Sequence, residues 1–91
     1  MLYEDREKLP KDALNMMRAI DSLKEELEAI DLYNQRAAVC PDEELKKILI
    51  HNMNEEKEHA AILLGWIQKH DPTFKKELKE YVAEGKELTQ H

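Results

Sequence analysis

The sequence lacks the usual means of stabilising a small domain. A single cysteine, Cys40, excludes an internal disulfide framework. Two glycines and three prolines in 91 residues leave little room for anything but helix. No apolar run approaches the length of a membrane span, and the start at Met1 carries no apolar stretch suited to a signal peptide, so a soluble, cytoplasmic protein is expected. Positive charge is in the minority. Fourteen basic residues stand against twenty acidic ones, a net charge of −6, which argues against nucleic acid or an anionic membrane as the main partner and favours cations.

What is present fits long amphipathic helices. The chain makes one domain, residues 1–91, and so short a chain buries little surface for its size. Help from an oligomer or a metal is therefore expected. Apolar residues recur at helical spacing as Ala13, Met16, Met17, Ile20, Leu23, Leu27, Ile30 and Tyr33, after a proline, Pro10, that suits a first turn. Cys40-Pro41-Asp42 breaks this helix, because a residue before proline is pushed out of the α region. A second helix carries Leu45, Ile48, Leu49, Met53, Ala60, Leu63, Trp66 and Ile67, with Asp42, Glu43 and Glu44 at its positive end. Asp71-Pro72 caps and opens a short third helix with Phe74, Leu78, Tyr81 and Val82 on its apolar face and Gly85 as its stop. The expected helices span about 11–38, 42–69 and 72–84, and residues 84–91 read as a frayed polar tail. The first two helices are each roughly 40 Å long and joined by a few residues, which makes them an antiparallel αα-hairpin. Two helices cannot bury a core alone, so the fold class expected is all-α, a half-bundle completed to four helices by dimerisation.

The informative residues are carboxylates that interrupt the apolar stripes. Glu26 lies three residues after Leu23 and four before Ile30; Glu56 and His59 fall on the stripe Leu45, Leu49, Asn52, Glu56, His59, Leu63, Trp66. Counted from the Cys40-Pro41 break, Glu26 and Glu56 stand at nearly equal height in an antiparallel hairpin. Buried carboxylates close together are costly, and a bound cation resolves the cost. Glu56-x-x-His59 has the spacing that aims a carboxylate and an imidazole at one ion, and di-iron bundles use two such pairs plus two single glutamates. With four histidines in the chain such a pair arises by chance about 0.6 times, so the burial pattern and matched height carry the argument. The chain holds half the ligand set. A two-fold dimer supplies the rest, and four glutamates then balance two ferrous ions in charge.

Other residues carry weaker signals. Glu25 and Glu28, with Asp21 and Asp31, form an acidic strip that either gathers cations or is simply a solvated helix face. Glu55 and Glu58 read as surface charges. Tyr33, two turns beyond Glu26, is either a core tyrosine or a residue that hydrogen-bonds a ligand or passes an electron. His51, His70 and His91 have no carboxylate at ligand spacing on an apolar face and receive no role; Trp66, Met16, Met17 and Met53 read as packing, and Cys40 as incidental.

Two segments, Glu25-Glu26-Leu27-Glu28-Ala29-Ile30-Asp31-Leu32-Tyr33 and His51-Asn52-Met53-Asn54-Glu55-Glu56-Lys57-Glu58-His59-Ala60-Ala61, resemble the encapsulated ferritins, which are cargo of, or fused to, encapsulin shells. The resemblance extends over about residues 12 to 70. It implies a ferroxidase centre formed between two subunits, with iron ligands at Glu26, Glu56 and His59, a metal-uptake site at Glu25 and Glu28, and a central tyrosine at Tyr33. It also implies dimers arranged in a ring and iron storage inside an encapsulin nanocompartment. A member of that family has tryptophan where this chain has Leu32. The shell-targeting peptide rich in Gly, Leu and Ile is absent, so the chain is expected to be a shortened cargo protein or the ferritin part of a shell fusion. The activity expected is oxidation of Fe²⁺ by dioxygen or peroxide, two iron ions per subunit pair, with Ca²⁺ or Zn²⁺ as non-native occupants. The alternatives are a rubrerythrin-like di-iron protein that reduces peroxide, whose usual cysteine pairs are missing, and a non-catalytic helical assembly module.

Overall fold

The structure is a computed structural model in which residues 2–89 are described; Met1, Gln90 and His91 lie outside them, and with them the end of the expected polar tail. Three α-helices follow a short 3-10 turn at Arg6–Lys8 that sequence periodicity did not signal: α1 (Lys11–Val39), α2 (Glu43–Lys69) and α3 (Pro72–Leu78). Among the described residues there is no strand. No helix among them is long and apolar enough to cross a membrane.

The breaks follow from local chemistry. Cys40, held extended at φ −72° and ψ 120° before Pro41, ends α1. Asp42 lies outside α2, where sequence reasoning had included it, because it is the cap: its carboxylate accepts the Leu45 N–H at 2.7 Å from an extended backbone. Asp71 repeats the device, accepting from Phe74 N–H at 2.9 Å with Pro72 opening α3. The third helix departs from expectation. Its α portion ends at Leu78, and Lys79–Ala83 continues as a π-helical turn in which Glu84 N–H reaches Lys79 O at 2.8 Å. Gly85, at φ 70°, then turns the chain so that Lys86 N–H meets Glu80 O at 2.9 Å. The start of the tail is therefore tied down, with the Lys86 ammonium 3.4 Å from Glu80 and 5.3 Å from the Tyr81 ring centre. Glu80, and then Tyr81, raise the Lys86 pKa above its ordinary value.

Helices α1 and α2 pack along their length as an antiparallel hairpin, and α3 folds against the end of α2. The interior is thin. Ala19, Ala37, Ala60 and Ile67 form the buried apolar core, and Ile67 is the largest side chain fully enclosed. Alanines along the seam let the backbones approach, but they contribute little apolar area. Large side chains consequently remain open: Leu27 is 53%, Leu45 47%, Ile48 49% and Ile62 63% exposed. A hairpin that buries so little leaves a large share of its apolar side chains open to solvent.

Candidate metal centre

Midway along the hairpin, α1 supplies Glu26 and α2 supplies Glu56 and His59. Their placement follows from helical geometry: Glu26 follows the buried Ala19 by two turns on the same face of α1, and Glu56 precedes the buried Ala60 by one turn on α2. Both carboxylates are therefore three-quarters covered, Glu26 24% and Glu56 25% exposed, while His59 sits at the edge of the seam at 49%. The imidazole Nδ1 stands 3.6 Å from Glu26 Oε2 and 3.5 Å from Glu56 Oε2. One donor atom from each of the three residues lies within 4.8 Å of the others.

These separations have a chemical meaning. They are too long for good hydrogen bonds, so the three groups converge without satisfying one another. Glu26 Oε2 is buried with no hydrogen-bond partner. An enclosed carboxylate oxygen left unpaired costs about 1–3 kcal/mol or more, which a cation would offset. Two donors about 2.1 Å from one ion at a tetrahedral angle stand about 3.4 Å apart, close to the spacing here. The residues present thus fit a metal ion, and two carboxylates with one imidazole suit a first-row divalent ion.

The remaining residues singled out by sequence lie around this cluster without joining it. Glu25 and Glu28 are exposed on α1, beside Asp31, which accepts from Gln35 Nε2 at 3.0 Å, and Asp21, which faces Lys24 at 3.8 Å. Tyr33 is half-buried, and among the described residues no hydrogen bond ties its hydroxyl to a ligand carboxylate. Leu32 is 44% exposed. Glu55 and Glu58 are exposed as expected, Glu55 lying 3.5 Å from His51 on the outer face of α2. Sequence reasoning gave His70 no part, yet it is stacked on Trp66 at the far end of α2, with ring centres 4.0 Å apart. The spacing Trp66-x-x-x-His70 at a helix end was the available signal.

The EncFtn-like family profile matches residues 1–85. A protein of Rhodospirillum rubrum named encapsulated ferritin-like protein is 45% identical over 80 residues, which is 88% of this chain and 57% of that protein. A protein of Pyrococcus furiosus named ferritin-like-encapsulin shell fusion protein is 42% identical over 64 residues, 70% of this chain and 19% of the fusion. This chain therefore spans little more than half of the first relative and a fifth of the second. The crystal structure of protein ne0167 from Nitrosomonas europaea is similar at a TM-score of 0.91 and 54% sequence identity, with 98% of each chain covered.

Proposed function

The chain belongs to the EncFtn-like family, and on that premise we propose that it is a ferroxidase whose di-iron centre is shared between two copies, supplying ferric iron for storage inside an encapsulin shell in the cytoplasm. The observation that supports this most is the convergence of Glu26, Glu56 and His59 around an unpaired, buried Glu26 oxygen, on a hairpin that leaves large apolar side chains uncovered. One chain offers a Glu-x-x-His pair and one further glutamate, half of what a di-iron bundle uses. A two-fold partner doubles both the ligands and the core.

In this reading iron is substrate. Each of two ferrous ions yields one electron to dioxygen, which leaves as hydrogen peroxide after taking up two protons, or to peroxide, which leaves as water. Glu26 and Glu56 from both chains neutralise the ferrous charge, and His59 orients the pair from the edge of the seam. Glu25 and Glu28, exposed one turn from one another, gather cations at the approach. Tyr33 stands seven residues from Glu26, two turns along the same helix, and in this reading relays an electron from iron to the oxidant, with no net loss of its own. The names of the Rhodospirillum and Pyrococcus relatives support the encapsulin partner.

The test is oxidation of Fe²⁺ followed by near-ultraviolet absorbance, with Glu26→Ala, Glu56→Ala and His59→Ala beside the wild type. Each change removes two ligands from a two-fold site, so rates at least tenfold lower are expected with helix content retained. Wild-type rates in all three variants would remove the assignment.

A further inference from the structure

A polar cavity lies at the open end of the hairpin, where the last turn of α2 meets the first turns of α1. It has a volume of about 250 Å³ and is lined by Asp12, Asn15, Met16, Trp66 and His70. Trp66 and His70 follow His59 by seven and eleven residues, which puts this cavity roughly 10 to 17 Å along the helix axis from the Glu26–Glu56–His59 cluster.

His70 is held in a defined state there. Its Nδ1 lies 2.8 Å from the Trp66 carbonyl oxygen. A carbonyl oxygen can only accept, so Nδ1 carries the proton, which leaves Nε2 as the ring nitrogen turned to the cavity's ligand chemistry. Stacking on Trp66, with 21° between the ring planes, fixes the ring orientation. Donation from one imidazole nitrogen to a backbone carbonyl is how metal-ligating histidines have their tautomer and orientation set. The side chain of Asp12, in the first turn of α1, makes no hydrogen bond or ion pair with any described residue. Asn15 is committed elsewhere, since its Oδ1 accepts from Arg18 Nη1 at 2.9 Å, so it forms wall and not ligand.

We propose that this cavity is a second metal site, binding one divalent transition-metal ion between His70 Nε2 and the Asp12 carboxylate, with water completing the coordination. An imidazole beside a carboxylate favours Fe²⁺, Co²⁺ or Zn²⁺ over the all-oxygen preference of Ca²⁺ and Mg²⁺. Two protein donors make a weak and readily exchanging site. The ion is drawn from solvent by the chain's net charge of −6.

Trp66 is the only tryptophan in the sequence, so its emission reports on a paramagnetic ion placed beside it. The experiment titrates Co²⁺ alone into the full chain carrying Glu56→Ala, which disables the first centre and makes the result independent of the ferroxidase reading. Saturable quenching is expected in that background. Adding His70→Gln or Asp12→Asn should raise the Co²⁺ concentration for half-quenching at least tenfold, while circular dichroism shows unchanged helix content. An unchanged half-quenching concentration in both variants overturns the proposal. Loss of quenching through Glu56→Ala alone also overturns it, since the reported ion would then belong to the first centre.

Discussion

Metal should drive this chain from small species into pairs, and the structure sets the scale of the effect. Leu45, Ile48 and Ile62 on α2 are 47%, 49% and 63% exposed. Burying the exposed half of each contributes about 1 kcal/mol, hence roughly 6 kcal/mol gross for a two-fold pair. Association costs about 4–15 kcal/mol in lost freedom, so apolar burial alone comes close to cancelling and leaves the metal-free pair weak. Pairing also brings four glutamates together, which opposes it further unless some are protonated. Divalent metal reverses the sign of that term and bridges the two chains. Sedimentation velocity under anaerobic, reducing conditions, with and without Fe²⁺, should show a shift to dimers and larger rings, accompanied by a higher melting temperature through linkage. Zn²⁺ or Ca²⁺ should act less specifically, and Glu56→Ala should abolish the shift. A protein that stays monomeric with its Glu26–Glu56–His59 site saturated would refute the shared-centre reasoning, because one hairpin cannot supply a second Glu-x-x-His pair.

Three further outcomes follow from the same structure. Glu25→Ala with Glu28→Ala should slow iron uptake at low concentration while bound metal persists in anomalous scattering, and added salt should reproduce part of the slowing. Asp42→Ala and Asp71→Ala each remove a capping hydrogen bond, 2.7 and 2.9 Å long, and should lower stability by about 1 kcal/mol in thermal melts. A methyl group added at Gly65, inside α2, would meet no atom within 4 Å; Gly65→Ala should therefore stabilise the isolated chain by about 0.5–1 kcal/mol in urea unfolding.

The parts of the fold legible in the sequence were those governed by local chemistry. Proline and its preceding residue mark the Cys40 break, and Asp71-Pro72 marks the second, because backbone sterics and capping act within four residues. The one-residue shift at Asp42 arises because an aspartate can serve equally as a first-turn anion or as the cap, and periodicity does not separate the two. The π turn at Lys79–Ala83 was not legible, since it rests on Gly85 reversing the chain and Lys86 returning to Glu80, contacts that no hydrophobic period encodes. The convergence of Glu26 with Glu56 and His59 was legible for a different reason. Two helices of known length joined by a short loop have a fixed register, so heights counted from the loop predict who meets whom. His70 received no role from sequence because its partners, the Trp66 ring and carbonyl, are not carboxylates and so carry no ligand spacing.

In the proposed reading, fold and chemistry on this chain are completed by the same partner, and that has a mechanistic consequence. The seam between α1 and α2 is closed by alanines and Ile67, while Leu45, Ile48 and Ile62 of α2 stay uncovered. In the proposed reading one partner fills both deficits, so the site cannot be completed without completing the core, and the core gains stability from the metal that the site holds. Oxidation by a two-electron acceptor needs two ferrous ions side by side, whereas a lone hairpin presents donors for one. On that reading turnover would be confined to the paired state, because an isolated chain that captures one Fe²⁺ lacks the second electron with which to reduce dioxygen to peroxide.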